Sequence, residues 1–368
     1  MNKTTRRNWM EHSAAGGLGL GLMGPGAALR AASKQELKVT RTEAFHVHIP
    51  YAEQLRENML ENYRRENTDR GYYDTWIVKI HSDAGLVGVG EGGQDPRPRL
   101  ARLAGRSVWE LVHDVSAGPA TMIAIYDLAA QAAGLPVSRL FSPTPRPTIV
   151  QTWWSHSFRP KLMQAEAKRG VEAGYRVHKI KARPYEDTVA QVAAMAEVVP
   201  QDYQILVDAN GSFGSPDKTL AVAQALERYF QVKGFEQPIA HEDIVGYRRL
   251  RRDLPLRLAV HWEAVDARSF IVESLCDAFV VEDFLWGPPL MQKSALCGWS
   301  GQKLWVENGL FTGISQVFQA HIAAALPNVE YTISLTHIGE DDLVNEPFVV
   351  EKGGFYKVPT KPGLGVTL

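Results

Sequence analysis

The spacing of three acidic residues constrains the fold of this chain more than any other feature. Asp208, Glu236 and Glu263 follow one another at intervals of 28 and 27 residues, and Lys181 stands 27 residues before Asp208. Each of the four closes a short run of apolar or β-branched residues. A strand, a helix and two loops take about 30 residues, so the same strand position recurs in four successive βα units. The pattern predicts a parallel barrel.

Positions that recur in this way meet at the C-terminal face of a parallel barrel, where catalytic groups collect. Three carboxylates brought together there would repel one another unless a cation joined them, and hard oxygen ligands suit Mg²⁺. We therefore expect one Mg²⁺ per subunit, bound by Asp208, Glu236 and Glu263. The alternative, that each acid is an unrelated surface or loop carboxylate, does not explain why a lysine shares their register.

The rest of the chain divides into a strand-rich part and a part in which strands and helices alternate. Residues 37–147 contain alternating strand segments, a hairpin turning at residues 83–85, and helical stretches that stop at Gly134; together they predict an α+β unit. Residues 346–368 are punctuated by Gly and Pro and are expected to pack back on this unit. Eight strand-like segments with helices between them predict a barrel over residues 148–345: RPTIVQTWW, YRVHKIKA, YQILVDAN, VKGFEQP, LRLAVHW, DAFVVED, KLWVEN and EYTISLTH.

These motifs resemble those of the enolase superfamily, specifically its mandelate racemase/muconate lactonizing enzyme branch, over nearly the whole chain after residue 37. Lys179-Ile180-Lys181 is similar to the K-x-K of the second barrel strand, and Asp208-Ala209-Asn210 to the D-x-N of the third. Glu236-Gln237-Pro238 is similar to the E-x-P end of the fourth strand, and Glu263 to the fifth-strand acid. The resemblance implies an α/β fold, a (β/α)7β TIM-type barrel with an α+β N-terminal capping domain. It also implies a small-molecule carboxylate substrate and a homo-oligomer.

The chemistry that the resemblance implies is removal of a proton next to a substrate carboxylate, with the enolate stabilised by Mg²⁺ and nearby cations. Lys181 is the expected base, because only a neutral amine accepts a proton and the adjacent positive charges favour that form. Lys179 lies two residues earlier on the same strand and points the same way; a structural salt bridge is the alternative for this pair. Asn210 shares a face with Asp208 and is expected to bind the substrate carboxylate or a metal-bound water.

The chain departs from the resembled family on its sixth and seventh barrel strands. In KLWVENG, Asn308 occupies the position of the expected seventh-strand histidine, and the sixth strand ends in Glu282-Asp283 without the lysine of muconate-lactonizing relatives. An amide cannot exchange a proton, so the chain favours a one-base syn dehydration in which Lys181 removes the α-proton and then protonates the leaving hydroxyl. The leading prediction is a hydro-lyase that acts on a sugar acid or related hydroxy acid.

Two other functions stay open. An epimerase, racemase or cycloisomerase would need a second acid/base, for which His261 and His337 are candidates. His337 is also the candidate for the missing proton donor of a dehydratase, whereas His261 could equally pack low in the barrel. A barrel that binds a carboxylate ligand without turnover is the other possibility.

The expected substrate contacts lie at the mouth of the barrel and in the capping domain. Trp153 and His156 follow the first barrel strand, and only one of the adjacent Trp153 and Trp154 can face the pocket because neighbouring strand residues point to opposite sides. Arg56 belongs to a loop, residues 51–73, that the resemblance implies closes over the site. Together with Asn58, Arg64 and Arg65 it is a candidate to meet a substrate, and a solvated charged face is the alternative for each of them.

Composition and the first residues bear on partners and location. The net charge is −1 and no basic stripe is present, so no nucleic-acid partner is expected, and no apolar run is long enough to span a membrane. Arg6-Arg7 precede a glycine-rich apolar stretch, which predicts a Tat-type signal peptide over residues 1–32 and export from a bacterial cytoplasm; a disordered basic tail is the alternative. Cys276 and Cys297 are expected to be separate buried thiols, with a single bridge as the alternative.

Overall fold

The computed structural model describes residues 36–68, 71–282, 287–307, 309 and 312–368. The twin-arginine segment, Asp283 and Asn308 lie outside the described residues, so the predictions made for them stay predictions. Among the described residues, no helix combines the length and the apolar character that crossing a membrane requires. Cys276 and Cys297 are buried free thiols.

The capping domain begins with a three-stranded antiparallel sheet, β1 (Val39–Pro50), β2 (Tyr72–Ser82) and β3 (Val87–Gly92), in the order β1-β2-β3. The predicted hairpin connects β2 to β3. The predicted loop over residues 51–73 is wrong in its local structure, because a helix, α1 (Glu53–Arg65), fills most of it. Leu55, Met59 and Tyr63 are buried at intervals of four residues, which is the spacing of one helix face.

The other helices of the capping domain follow the sheet. Glycines of β3 allow the longest of them, α4 (Pro119–Ala133), to approach the sheet closely, since a Cβ at Gly90 would come within 2.0 Å of the Ala120 carbonyl oxygen. This helix ends at Gly134, which adopts the left-handed conformation that favours glycine, with φ 66°. The helices are α2 (Arg97–Leu100), α3 (Val108–Leu111), α4 (Pro119–Ala133) and α5 (Ser138–Phe141), with a short 3-10 helix at Val115–Ala117.

All eight predicted barrel segments form parallel strands, and the sheet closes by pairing of the last strand with the first. The strands are β4 (Thr148–Ser155), β5 (Val177–Lys181), β6 (Gln204–Asp208), β7 (Val232–Glu236), β8 (Arg257–His261), β9 (Ala278–Val281), β10 (Lys303–Val306) and β11 (Val329–Ser334). The helices that alternate with them are α6 (Pro160–Glu172), α7 (Thr188–Ala196), α8 (Pro216–Leu226), α9 (Ile244–Asp253), α10 (Ala267–Val272), α11 (Pro288–Ser300) and α12 (Gly313–Ala325). The fold is the predicted α/β barrel with an α+β capping domain.

The barrel interior consists of an apolar layer below a polar one. Alternate residues of a strand point to the same side, so the residues two positions beyond this apolar layer face the same interior nearer the C-terminal end. The apolar layer contains Val177, Leu206, Ala259, Ala278, Val280, Trp305 and Tyr331. Two positions after five of these residues stand Lys179, Asp208, His261, Glu282 and Glu307.

The C-terminal segment contacts both parts of the molecule. Two short strands, β12 (Val350–Glu351) and β13 (Phe355–Lys357), form a hairpin that pairs with β4 of the barrel. Beyond it the chain reaches the capping domain, where the Leu364 amide donates to Oδ1 of Asp127 at 2.8 Å and the Val137 amide donates to the Gly363 carbonyl at 3.0 Å.

A buried histidine at the same junction, His321, predicts that the protein loses stability in acid. His321 of α12 is buried; its Nδ1 accepts from the Ser138 amide at 3.3 Å and its Nε2 lies 3.0 Å from the Leu364 carbonyl oxygen. Burial lowers the pKa of His321 from 6.5 to about 4. Because the folded pKa lies below the unfolded one, the stabilisation is present above pH 6.5 and lost as the pH falls toward 4, by about 3 kcal/mol in all.

Urea unfolding at neutral pH and near pH 4.5 measures this loss. We expect His321→Gln to be less stable than the native chain at neutral pH and to lose less free energy between the two pH values. If both proteins lose the same amount, other buried groups cause the acid sensitivity.

Candidate active site

The ends of five barrel strands bring lysines, carboxylates and one histidine together under the capping domain. The strand register sets Lys181 beside Asp208 and Asp208 beside Glu236. These are the neighbours that the spacing of the sequence predicts. Glu307 and His261 join them from β10 and β8 because both occupy the inward-facing positions of their strands.

Lys179 lies at the centre of this cluster and is fully enclosed by acids. Its Nζ is 2.6 Å from Glu307, 2.7 Å from Glu236 and 3.2 Å from Asp208, and the residue is 1% exposed. Burial alone would lower the pKa of Lys179, but the three carboxylates outweigh it and hold the pKa well above its usual range. Lys179 is therefore a fixed ammonium that offsets negative charge, and it is unsuited to accept a proton.

Lys181 differs from Lys179 because its amine reaches the cavity. Its Nζ donates to Oδ2 of Asp208 and, at 3.0 Å, to Oδ1 of Asn210, while 18% of the side chain stays exposed. Burial would raise the pKa of Asp208, but its contacts with Lys181 and Lys179 outweigh burial and hold the pKa well below its usual range. Asp208 is thus a permanent carboxylate beside the one lysine of the pair that a substrate can approach.

Two of the three predicted metal ligands meet, and the third does not. Donor atoms of Asp208, Glu236 and His261 all lie within 4.8 Å of one another. Glu263 instead lies two residues beyond the end of β8, with 42% of its side chain exposed, and it contacts Lys293. Two carboxylates and an imidazole are a donor set that suits a divalent cation. The described residues therefore fit a metal, with His261 in the place predicted for Glu263.

The remaining carboxylate, Glu307, titrates differently from Asp208. Burial and the neighbouring Glu236 carboxylate raise the pKa of Glu307, and Lys179 only partly offsets this. Burial would lower the pKa of His261, but its contact with Glu236 at 3.0 Å outweighs burial and raises it. The cluster thus contains two groups whose raised pKa favours the protonated form, Glu307 and His261. They lie beside the permanent charges of Asp208 and Lys179.

A cavity of about 270 Å³ lies above the cluster, and residues of the capping domain form part of its wall. Its lining is mostly polar. Nε of Arg183 pairs with Oε1 of Glu66 at 2.8 Å, and Nη2 of Arg183 donates to Oδ1 of Asn210 at 2.8 Å. The residues that line it are Tyr63, Glu66, Thr68, Trp154, His156, Lys181, Arg183, Asn210, His261, Glu282, Glu307, Gly309, Ile333 and Leu335.

Predicted substrate-binding residues differ in whether they reach this cavity. Asn210 and His156 line it, and burial, helped by the positive charge of Arg183, lowers the pKa of His156 to about 3, so that its ring is neutral. Trp154 faces the cavity in place of the predicted Trp153. Trp153 points outward, because its ring stacks on His337 with centroids 3.5 Å apart. Arg56 is outside the lining and forms an ion pair with Glu340.

The prediction that His337 is catalytic finds no support in its position. Its Nε2 lies 3.0 Å from the Trp154 carbonyl oxygen, it is not among the residues that line the cavity, and burial lowers its pKa to about 3. Because this neutral ring packs against β4 and does not line the cavity, it is not positioned to exchange a proton with a substrate bound there.

Four residues of the site were missed as site residues or assigned another role: Glu66, Arg183, His261 and Glu307. Glu307 and His261 carried a usable signal, because each stands two positions after an apolar residue of the barrel core. Glu66 and Arg183 follow the ends of α1 and β5, where no periodic pattern indicates which way a side chain points.

The barrel is closed and is covered by an α+β domain, and it carries a lysine pair and a carboxylate cluster at its C-terminal face. This combination is typical of barrel enzymes whose active site lies at that face. Residues 162–368 match the family described as enolase C-terminal domain-like. Hydrophobic dipeptide epimerase of Enterococcus faecalis is 27% identical over 290 residues, covering 70% of this chain and 80% of that protein. Arabinonate dehydratase of Saccharolobus solfataricus is 26% identical, covering 67% of this chain and 68% of that protein.

A crystal structure of the dipeptide epimerase from E. faecalis V583, complexed with Mg and the dipeptide L-Leu-L-Tyr, has the same fold. It matches with a TM-score of 0.76 at 21% identity and covers 90% of this chain and 100% of that chain. The chain belongs to the enolase superfamily, in its mandelate racemase/muconate lactonizing enzyme family. The relatives include epimerases, racemases, dehydratases and o-succinylbenzoate synthases, which supports an enzyme that removes a proton next to a carboxylate.

Proposed function

We propose that this protein dehydrates a sugar acid or a similarly polar hydroxy acid, using a divalent metal and a single lysine base. The observation that carries the proposal is the difference in environment between the two lysines. Lys181 opens into the cavity, whereas Lys179 is enclosed by three carboxylates. One face of a bound substrate would therefore meet an amine, and the polar walls suit a ligand rich in hydroxyl groups.

In this reaction Lys181 first accepts the proton on the carbon next to the substrate carboxylate, so it must start as a neutral amine. The electron pair of that C–H bond then forms the carbon–carbon double bond as the β-carbon–oxygen bond breaks. The Lys181 ammonium returns the proton to the departing hydroxyl, and water leaves. The enol that remains becomes a 2-keto-3-deoxy acid.

Electrostatics around the reacting carbon favours this step. A divalent metal held by Asp208, Glu236 and His261 would stabilise the negative charge that develops on the substrate carboxylate; we propose Mg²⁺, which the E. faecalis epimerase structure contains. The fixed ammonium of Lys179 adds positive charge within the cluster. Arg183 and Asn210 present donors to the cavity and are placed to hold substrate oxygens.

Epimerisation is a second candidate because acid/base groups stand across the barrel from Lys181. In the ring of eight strands β9 lies opposite β5, and Glu282 follows the end of β9 and lines the cavity. His261 Nδ1 lies 3.5 Å from Oε1 of Glu282. With His261 bound to the metal through its other nitrogen, this contact would orient Glu282, and the Glu282 carboxyl could return a proton to the face of the substrate opposite Lys181.

Product analysis distinguishes the two reactions. Purified protein with Mg²⁺ is incubated in D₂O with a library of acid sugars and with dipeptides, and products are followed by NMR. Dehydration gives 2-keto-3-deoxy acids, whereas epimerisation gives the inverted substrate carrying deuterium. Inverted, deuterated substrate without keto acid would overturn the dehydratase proposal, and binding without either product would indicate a non-catalytic barrel.

A substitution at Glu282 gives a second prediction. If dehydration is the reaction, Glu282→Gln should keep α-proton exchange within about tenfold of the native rate, because Lys181 supplies the base. If an epimerase operates through the Glu282–His261 pair, the same change should cost about 10²- to 10⁴-fold in inversion. Exchange and inversion are measured in the same NMR time course, with Asp266→Asn as a matched exposed carboxylate.

A further inference from the structure

A second group of metal-binding side chains lies on the capping domain, away from the barrel cluster. His46 and His48 stand two residues apart on β1 and therefore point to the same side of the sheet. Asp74 of β2 pairs directly with His48, and Trp76 pairs with His46. The two imidazoles and the carboxylate are thus fixed side by side by the strand register rather than by loop conformation.

The three side chains converge on one point. Nε2 of His46 contacts Oδ1 of Asp74, and Nδ1 of His48 lies 3.3 Å from the same oxygen. Their donor atoms all lie within 4.8 Å of one another. Ligand atoms about 2.0–2.2 Å from a zinc ion lie at most about 4 Å apart, so small side-chain rotations would suffice to enclose one.

Aromatic neighbours hold both imidazoles in place. The His46 ring stacks on Trp76 with centroids 4.4 Å apart and an interplanar angle of 15°, and the edge of Tyr72 meets His48 at 4.6 Å. The guanidinium of Arg97 lies over the Trp76 ring, 4.7 Å from its centroid, and is paired with Asp95 at 2.6 Å. Its positive charge is therefore locally offset where a cation would approach.

We propose that His46, His48 and Asp74 form a transition-metal site on the surface of the capping domain. Two imidazoles and one carboxylate favour Zn²⁺, Ni²⁺ or Cu²⁺ over Mg²⁺, which prefers oxygen ligands. The three side chains are 39%, 48% and 54% exposed, which leaves room for water or an external ligand to complete the coordination. An ion bound there joins the edge strand β1 to β2.

Zn²⁺ titration by calorimetry tests the proposal on the full, tag-free chain in excess Mg²⁺, which leaves oxygen-rich sites occupied. We expect one equivalent of Zn²⁺ to be lost, or its affinity to fall at least about 100-fold, in His46→Ala and in Asp74→Asn. His241→Ala is the matched control, because His241 is an exposed histidine beside an acid, Glu242 at 2.8 Å, without a second imidazole. Its titration should equal that of the native chain.

Two further measurements keep the outcome interpretable. Melting curves without Zn²⁺ should coincide for native and variant proteins, and added Zn²⁺ should raise the melting temperature of the native chain and of His241→Ala by more than that of His46→Ala and Asp74→Asn, which among the described residues keep only the barrel site. Cu²⁺ bound to the native chain should show nitrogen coupling in its electron paramagnetic resonance spectrum, and the component that His46→Ala and Asp74→Asn remove should show coupling to two nitrogens. Unchanged Zn²⁺ binding in His46→Ala and Asp74→Asn, or an equal loss in His241→Ala, would overturn the site.

Discussion

Lys181→Ala should abolish both turnover and exchange of the substrate α-proton with solvent deuterium, while the protein still binds its metal. Lys181 is the lysine whose amine lines the cavity, and Lys179 is held as an ammonium by Asp208, Glu236 and Glu307. No other amine is positioned to take its place among the described residues that line the cavity. Loss of a general base costs about 10²- to 10⁴-fold, and here the same group also returns the proton to the leaving hydroxyl.

Lys181→Arg is the informative companion of that variant. It keeps a positive charge beside Asp208 and Asn210 but cannot become neutral, so it should be as inactive as Lys181→Ala. The alanine variant loses the charge as well, and only the arginine variant separates the base from the ion pair. If either variant keeps near-native exchange, the base lies elsewhere, and Glu282 with His261 becomes the first suspect.

The barrel was predictable because its signals are local. Each strand is a short apolar run, and the distance between runs is set by the length of a βα unit, so spacing alone placed Lys181, Asp208 and Glu236 side by side. The helix α1 was also readable, because Leu55, Met59 and Tyr63 follow a helical interval. The family resemblance implies a loop over residues 51–73, and the interval of four between these apolar residues indicates a helix there instead.

The errors at the site have two sources, because the sequence shows neither how far a strand extends nor which side its residues face. An interval of 27 residues shows that Glu263 belongs to the next repeat, but not whether strand β8 reaches it; the strand ends at His261, and Glu263 lies in the turn beyond. The same uncertainty applies to Trp153 and Trp154, which are chemically alike and point in opposite directions. Only the register against neighbouring strands decides such pairs, and that register depends on contacts across the sheet.

Asp208→Asn should remove the metal from the barrel and, with it, all turnover. Asp208 is a buried carboxylate whose pKa is held well below its usual range, so it offers a full negative charge at any physiological pH. An amide keeps the shape but not that charge. We expect a larger loss of affinity than the roughly 10- to 100-fold that follows loss of an outer hydrogen-bond partner. Mn²⁺ binding, followed by electron paramagnetic resonance, measures the loss without any substrate.

The same spectra decide between the predicted third ligand and the one that the structure places there. His261 shares the cluster with Asp208 and Glu236, whereas Glu263 contacts Lys293 outside it. Mn²⁺ in the native chain should therefore show coupling to an imidazole nitrogen, which His261→Ala removes together with most of the affinity. Glu263→Ala should change neither. If Glu263→Ala lowers the affinity and the nitrogen coupling is absent from the native chain, then metal binding draws Glu263 inward and the spacing of the three acids described the ligands correctly.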